Sequence, residues 1–368
     1  MPNKQLVPNN KERDHMKKFA VFSGFLGSGK TTTMMALTKY HTAHRGKAAM
    51  ISNDLGHGVS LADDRFARLS GCSASQITDD CICYVNEQLA DRLNAYYNEG
   101  FELVVSDIPG FGVGALEHVY HGLAEKFPGQ FELAPFTVLV EPKTVELLRC
   151  GQGGDLEYLY NTQLVEADLI VLNKCDLLDG AQREADIFWL KEHYPEAAVL
   201  PVCARNGEGL EALSQALTQG QASMRRPDIG YGGAAFRHAM GKISEFYIQY
   251  RAVVCCKDFD GNAYLLDTAR AVQGKIRQAG QRIPHLKLLA WEPEGDFGKV
   301  DLIGTEREIE VTRRFERPCT DIAVLLNASA ACPVDTLEEI LVSAMHSVSD
   351  RYQLELTVFK KEGLAMGE

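Results

Sequence analysis

The chain has 368 residues, of which 45% are hydrophobic and 24% charged, and its formal net charge is −12. This length suggests two or three domains, and no apolar run is long enough to span a bilayer. The acidic balance argues against nucleic acid as the main partner, although acidity also simply favours solubility. Residues 1–17 are polar and lack the apolar segment of a signal peptide, so we expect a flexible tail on a cytoplasmic protein.

A glycine-rich loop near the N-terminus has the spacing of a phosphate-binding loop. An apolar run at residues 19–22 predicts a buried strand, and residues 30–40 predict a helix. The loop between them fits the pattern G-x-x-x-x-G-K-[ST]. Its N–H groups and the helix N-terminus favour an anion, while Lys30 would reach the β and γ phosphates and the Thr31 hydroxyl would ligate Mg²⁺. The alternative is a chance glycine turn before a helix. The predicted phosphate contacts are Gly24, Gly27, Ser28, Gly29, Lys30, Thr31 and Thr32.

Two aspartates follow predicted strands, where ligands bind in open α/β sheets. Asp54 follows a strand at 48–52 and is a candidate to contact Mg²⁺ or to position the attacking water, unless it only forms a turn. Asp107 follows a strand at 101–106 and would hold Mg²⁺, while the N–H of Gly110 would sense the γ-phosphate. The alternative for Asp107 is a capping or turn role. We predict the catalytic residues Lys30, Asp54 and Asp107, and the Mg²⁺ ligands Thr31, Asp54 and Asp107.

An N-K-x-D motif at 173–176 follows an apolar strand predicted at 167–172 and indicates a guanine site. The Asp176 carboxylate can accept from both the ring N–H and the exocyclic amino group of guanine, a pair that adenine does not offer. The stem of Lys174 would lie along the base. A backbone N–H after the strand at 198–202 could meet the guanine carbonyl oxygen. The predicted base contacts are Asn173, Lys174, Asp176, Cys203 and Ala204.

The remaining pattern alternates strands with helices, which predicts a mostly parallel sheet covered on both faces. Its further elements are a strand at 136–140 and helices at 86–98, 113–126, 156–166, 181–193 and 209–218. We therefore predict an α/β P-loop NTPase domain at 18–219, a Gly-, Ser- and Arg-rich linker at 220–237, and a smaller α+β domain at 238–368. The second domain should contain strands at 244–255, 285–291, 309–315, 321–327 and 354–359 and helices at 263–279 and 337–350.

Residues 24–32 closely resemble the phosphate loop of the CobW-like GTPases, within the CobW/HypB/UreG group, and residues 167–177 resemble that family's guanine-recognition strand. The likeness covers about residues 17–220. It implies GTP and Mg²⁺ as ligands, and GTP hydrolysis coupled to delivery or insertion of a metal ion or a metal-bearing, corrinoid-type cofactor. The implied partner is a client metalloprotein or corrinoid protein, and a homodimer is a candidate assembly. The second domain has a similar size to the family's C-terminal domain, but shows no residue-level match and no catalytic motif.

The chain departs from the family at three motifs. It has Asn53-Asp54-Leu55-Gly56 for Asn-Glu-x-Gly, Asp107-Ile108-Pro109-Gly110 for Glu-x-x-Gly, and Cys81-Ile82-Cys83-Tyr84 for Cys-x-Cys-Cys. Because the third thiolate is missing, Cys81 and Cys83 are an incomplete set for zinc, cobalt or nickel.

Cys72 or His57 could complete the set, and otherwise the two cysteines are structural remnants of the motif. If the site is real, its loop lies between the Asp54 and Asp107 segments, which gives a route for coupling to GTP. The other cysteines are expected to be reduced thiols, with Cys255 and Cys256 in the core.

Two other functions remain open on the sequence. One is a nucleotide-gated switch or scaffold with little turnover, since no arginine finger is evident in the motifs and hydrolysis should be slow. The other is a small-molecule kinase with the same phosphate loop, which the N-K-x-D motif does not support.

Overall fold

The computed structural model describes residues 17–53, 62–78, 80–254, 257–281 and 285–366, and in this part of the chain it forms two sheets. The first sheet has eight strands, ordered β3-β2-β4-β1-β6-β7-β8, with β5 pairing with β1. Every pairing within it is parallel. Its strands are β1 (Lys18–Ser23), β2 (Ala48–Asn53), β3 (Ala74–Ile77), β4 (Leu103–Asp107), β5 (Glu132–Leu133), β6 (Thr137–Val140), β7 (Leu169–Leu172) and β8 (Ala198–Pro201).

Helices cover both faces of this sheet, as the alternating pattern predicts. They are α1 (Lys30–His44), α2 (Ala62–Leu69), α3 (Asn86–Asn98), α4 (Gly122–Lys126), α5 (Pro142–Arg149), α6 (Glu157–Glu166), α7 (Gly180–His193) and α8 (Leu210–Gln219). Apolar residues of α1, α2 and α8 form the core on one face, and those of α3 to α7 form it on the other. The central strands are buried on both faces, which explains why they read as continuous apolar runs.

The structure corrects several predicted elements. The stretch between β2 and α3, expected to be a loop, contains α2 and β3, and α5 was also missed. The helix predicted at 113–126 begins only at Leu116, as a π-helical segment (Leu116–His121) that continues into α4. The predicted linker contains the start of α9 (Ala234–Met240), which packs against α6.

The second sheet is antiparallel, with strand order β12-β11-β10-β13-β9-β14. Its elements are β9 (Ser244–Val254), α10 (Gly261–Gln278), β10 (His285–Trp291), β11 (Phe297–Leu302), β12 (Glu310–Arg313), β13 (Asp321–Ala330), α11 (Val334–Arg351) and β14 (Leu354–Ala365). Both helices pack on one face, where alternate residues of the strands form the largest core. This is the expected α+β arrangement with one strand, β11, that the sequence analysis missed.

The other face of the second sheet lies against the first domain. It is apolar along one part of its strands and polar along another. Its apolar part, including Leu289 and Leu325, joins the core that α2 helps to form. Its polar part includes Lys299 and Asp301, each under 10% exposed. The apolar part therefore anchors the second sheet, while the polar part faces the cavity described below.

No helix among the described residues combines the length and apolar character needed to cross a membrane. The predicted tail, the Asp54 segment with His57, and the Cys255-Cys256 pair lie outside the described residues, except for Lys17.

Candidate functional site

The glycine-rich loop connects β1 to α1 with three glycines in the left-handed region, at φ values of 126° for Gly24, 83° for Gly27 and 94° for Gly29. A Cβ on Gly24 would lie 2.2 Å from the Leu139 carbonyl oxygen, and one on Gly29 would lie 2.3 Å from Nδ2 of Asn173. No side chain caps the N-terminus of α1. The loop thus requires glycine, and the first N–H groups of α1 are left to bind an anion.

Lys30 and Thr31 begin α1 and face the same cavity. The Lys30 ammonium donates to the Gly24 carbonyl oxygen at 2.6 Å, so its charge lies over the loop. The Thr31 hydroxyl donates to Oδ2 of Asp63 at 2.7 Å. A positive charge and a hydroxyl–carboxylate pair are therefore placed beside the anion-binding N–H groups.

Asp63 is a site residue that the sequence analysis missed. It lies in the first turn of α2, is 8% exposed, and accepts from the Lys287 ammonium at 2.5 Å as well as from Thr31. Its Oδ1 is buried and has no hydrogen-bond partner among the described residues. Burial raises the pKa of Asp63, but the Lys287 and Lys299 ammonium groups outweigh it and hold the pKa below its usual value. The Asp63-Asp64 pair before an apolar periodicity signals a helix start, but only the tertiary structure brings Asp63 to Thr31.

Asp107 ends β4 and reaches the same place. Its Oδ1 accepts from the Asn53 backbone N–H at 2.9 Å. Burial, followed by the nearby Asp63 carboxylate, raises the pKa of Asp107 to about 7. Two carboxyl groups and a threonine hydroxyl are hard oxygen donors of the kind that Mg²⁺ prefers, and no described residue bonds to the buried Oδ1 of Asp63. The described residues therefore fit a Mg²⁺ ion.

The N-K-x-D motif lines the same cavity and contacts the phosphate loop directly. Asn173 is 2% exposed and donates to the Ser28 carbonyl oxygen at 2.8 Å. Lys174 has a φ of 59°, and its ammonium donates to Glu141 at 3.0 Å. Burial raises the pKa of the Cys203 thiol, and the adjacent Asp176 carboxylate raises it further.

This cavity has a volume of about 800 Å³. The predicted site residues that line it are Gly27, Gly29, Lys30, Thr31, Thr32, Asp107, Gly110, Asn173, Lys174, Asp176, Cys203 and Ala204. Gly24 and Ser28 lie in the loop that forms its wall. This volume is within the range of small-molecule sites.

The second sheet closes this cavity, and no local sequence pattern predicts that it does. Cγ2 of Ile303 would lie 2.3 Å from a Cβ placed on Gly27, so Ile303 packs on the phosphate loop itself. The Arg307 guanidinium donates to both oxygens of Glu141, at 2.9 and 3.2 Å, and Glu141 also holds Lys174. Contacts from the second domain thus reach both the phosphate loop and the N-K-x-D motif.

The predicted cysteine site is only partly assembled. The Cys81 and Cys83 sulfurs lie 2.9 Å apart, and the Tyr84 hydroxyl lies 2.5 Å from that of Tyr231. The hydrogen bond with Cys81, burial and the charges of Cys81 and Glu166 raise the pKa of Cys83 well above its usual value.

Cys72 does not join Cys81 and Cys83, which corrects the predicted three-cysteine set. It precedes β3 and packs beside α1, near Thr38, whereas Cys81 follows β3 and packs in the core on the opposite face. The four-residue strand β3, roughly 13 Å long, lies between them in the chain. Across the described ranges, no group of three or more His, Cys, Asp or Glu side chains could hold a metal ion.

A parallel α/β sheet, a glycine loop before α1 and a triphosphate-sized cavity define a P-loop nucleotide-binding protein. The family model for the CobW/HypB/UreG nucleotide-binding domain matches residues 18–201, half of the chain. The chain belongs to this family, whose members are P-loop GTPases.

Matches to individual proteins cover less. The hydrogenase maturation factor HypB of Azotobacter chroococcum mcd 1 is 28% identical over 190 residues, 50% of this chain and 54% of HypB. The GTPase Obg of a Wolbachia endosymbiont of Brugia malayi is 35% identical over 126 residues, 32% of this chain and 34% of Obg. The chain thus spans a third to a half of the length of these curated relatives. A crystal structure of Helicobacter pylori HypB in complex with nickel aligns with a TM-score of 0.40 and 18% identity, covering 57% of this chain and 91% of that one.

Proposed function

We propose that this protein binds and hydrolyses GTP with Mg²⁺, and uses hydrolysis to deliver or insert a metal ion or a metal-bearing, corrinoid-type cofactor into a client protein. The observation that carries the nucleotide part is that one cavity is lined both by Lys30 and Thr31 of the glycine-rich loop and helix and by Asp176 of the N-K-x-D motif. Family membership supports the same conclusion.

At the phosphate end, this chain supplies charge and orientation. Lys30 and the N–H groups of the loop would stabilise the negative charge that develops as water attacks the γ-phosphate. When bound, Mg²⁺ would neutralise charge on the β and γ phosphates, and Thr31, Asp63 and Asp107 are the described residues that would hold it. Asp54 remains a candidate to orient the attacking water.

At the base end, Asn173 ties the motif to the phosphate loop, so that base recognition and phosphate binding share one rigid frame. The Asp176 carboxylate would pair with guanine, and an adenine would leave that carboxylate without its two donors. This arrangement supports GTP over ATP and disfavours the small-molecule kinase alternative.

Intrinsic hydrolysis should be slow, and one observation favours a nucleotide-gated switch as the second candidate function. Arg205 and Arg307 both line the cavity, but they are engaged by Glu310 and Glu141. Neither is placed as a free catalytic arginine, so a partner or a second copy of the chain would be needed for rapid turnover.

The proposal of a metal cargo and a client protein is supported by the family and by the HypB relative, whose name describes hydrogenase maturation. Zinc, cobalt and nickel are the candidate ions, and Cys81 and Cys83 the candidate ligands. Two thiols 2.9 Å apart are closer than the roughly 3.7 Å between sulfurs on one tetrahedral zinc, so the pair would have to open and gain further ligands.

The test measures binding and turnover together. Calorimetry with Mg²⁺ should give tight binding of a non-hydrolysable GTP analogue, weak binding of the ATP analogue, and a loss of roughly 10- to 150-fold in Lys30→Ala. Lys39→Ala, an exposed lysine on the same helix, should bind as the wild type does. Multiple-turnover phosphate release with and without zinc, cobalt or nickel separates an enzyme from a switch. Equal affinity for the two analogues would contradict the proposal.

A further inference from the structure

Asn53, the last residue of β2, is hydrogen-bonded to two candidate sites at once. It is 4% exposed, and its backbone N–H donates to Oδ1 of Asp107 at 2.9 Å. Its side-chain amide donates to the carbonyl oxygens of Ile77 at 3.2 Å and Asp80 at 2.9 Å, and its Oδ1 accepts from the Ile82 N–H at 3.0 Å. One residue therefore contacts both the carboxyl group at the phosphate end and the loop that carries Cys81 and Cys83.

The amide side chain is the group that these partners require. Both of its N–H donations and its carbonyl oxygen are used, and its three partners span the loop from Ile77 to Ile82. An aspartate could not donate, and an aliphatic side chain could neither donate nor accept. Because the group is buried and satisfied, the loop and the end of β2 are held as one unit.

We infer that Asn53 is a positioning residue that couples the occupancy of the phosphate end to the conformation of the Cys81-Ile82-Cys83 loop. The inference rests on the proposed function, because it takes Asp107 to turn toward Mg²⁺ and phosphate when nucleotide binds. That turn changes the bond from the Asn53 N–H to Asp107 Oδ1, and the side-chain bonds of Asn53 pass the change to the loop. The path is one continuous set of hydrogen bonds.

Asn86 offers a matched control. It is also 4% exposed, and its amide donates to the Ile82 carbonyl oxygen and to the His118 carbonyl oxygen, each at 3.1 Å. It therefore holds the same loop, but neither of these two bonds involves Asp107. Loosening the loop from this side should not disconnect it from the phosphate end.

The experiment measures how fast N-ethylmaleimide labels Cys81 and Cys83, read by mass spectrometry of their peptide, in the full chain with Mg²⁺·GDP or Mg²⁺·GTPγS. We expect the wild-type rates to differ by at least about 5-fold between the two nucleotides, the lower end of typical coupling. Asn53→Ala should bring this ratio close to one, with both nucleotides still bound. In Asn86→Ala, Cys81 and Cys83 should be labelled faster with either nucleotide bound, and the ratio of the two labelling rates should equal that of the wild type.

The second measurement needs no substitution at Asn53. Because coupling is reciprocal, blocking the loop thiols of the wild type should change the ratio of GTPγS to GDP affinity, and this effect should be absent in Cys81→Ser with Cys83→Ser. If the wild-type labelling rates were nearly equal with the two nucleotides bound, the coupling would be overturned. The role of Asn53 would be overturned if Asn53→Ala kept the wild-type ratio of labelling rates, or if Asn86→Ala lost that ratio equally. Failure to bind GTPγS at all would instead contradict the proposed function.

Discussion

The ammonium of Lys287, on β10 of the second sheet, lies 2.5 Å from Oδ2 of Asp63, on α2 of the nucleotide domain. The same oxygen accepts from the hydroxyl of Thr31, the residue expected to ligate Mg²⁺. A cation from the second domain thus holds a carboxylate that the Mg²⁺ ion would also attract. Lys287 and Mg²⁺ should compete for Asp63.

Lys287→Met tests this competition, because it removes the charge and keeps most of the stem. We expect the nucleotide-loaded variant to bind Mg²⁺ at least about tenfold more tightly, a change of about 1.4 kcal/mol. Without Mg²⁺, the variant should be less stable by about 3 kcal/mol, because a buried carboxylate loses its partner. Mg²⁺ titration of bound fluorescent nucleotide and urea unfolding measure the two effects.

Lys299→Met is the matched control for Lys287. Lys299 is a buried lysine of the same cavity, but its ammonium is bonded to Asp301, within the second sheet. We expect this variant to lose stability and to gain less Mg²⁺ affinity than Lys287→Met, because Lys299 acts on Asp63 through its charge, whereas Lys287 also donates a hydrogen bond to it. Equal Mg²⁺ affinity in the wild type and in Lys287→Met would show that the contact does not compete with the ion.

Base selection should depend on Asp176. Asp176→Asn replaces an acceptor oxygen by a donor, so the preference for GTP over ATP should fall by about 100-fold or more. Competition between the two nucleotides for the bound site, measured by calorimetry, gives the ratio. Asp179→Asn is the control, because Asp179 is the N-cap of α7 and asparagine caps as well as aspartate. An unchanged preference in Asp176→Asn would remove the guanine assignment.

Under the proposed function, Cys81 and Cys83 are the ligands of the bound transition metal. Cys81→Ser combined with Cys83→Ser should lower the amount of zinc, cobalt or nickel that remains after dialysis, measured by elemental analysis. Cys150→Ser, which removes an exposed thiol elsewhere, should leave the metal content unchanged. Equal metal content in the double variant and the wild type would favour the view that the pair is a remnant of the family motif.

Stability should fall at acid pH because of His41 on α1. Burial, and then the charge of Arg45, lowers the pKa of His41 to about 4, and the unfolded chain has the ordinary value of 6.5. The folded state therefore binds fewer protons, so this contribution is complete above pH 6.5 and is lost as the pH falls toward 4.

Between pH 7.5 and pH 5, urea unfolding of the wild type should lose about 2 kcal/mol more than that of His41→Gln. The comparison with the variant is needed because burial lowers the pKa of His285 to about 4 as well. His44→Gln, an exposed histidine of the same helix, should follow the wild type. Parallel curves for the wild type and His41→Gln would contradict the assignment.

Much of the nucleotide domain could be predicted because its signals are local. The strand before Gly24, the helix after Lys30 and the strand before Asn173 each follow from residues adjacent in sequence, and the family match over residues 18–201 confirms that interpretation. Helix α3 was predicted with the bounds that the structure gives it. Short elements were missed, since α2, β3 and α5 have eight residues or fewer, and so few residues give too few repeats to assign a period from the sequence.

The sequence by itself determined the parallel sheet, the phosphate loop and the N-K-x-D motif, because each of these depends on residue types at short fixed spacings. Only the tertiary structure decided that Asp63 meets Thr31, that Lys287 and Ile303 of the second sheet reach the nucleotide cavity, and that Cys72 lies away from Cys81. These contacts join residues far apart in the chain, and the packing of strands and domains fixes their distances, which no local pattern records.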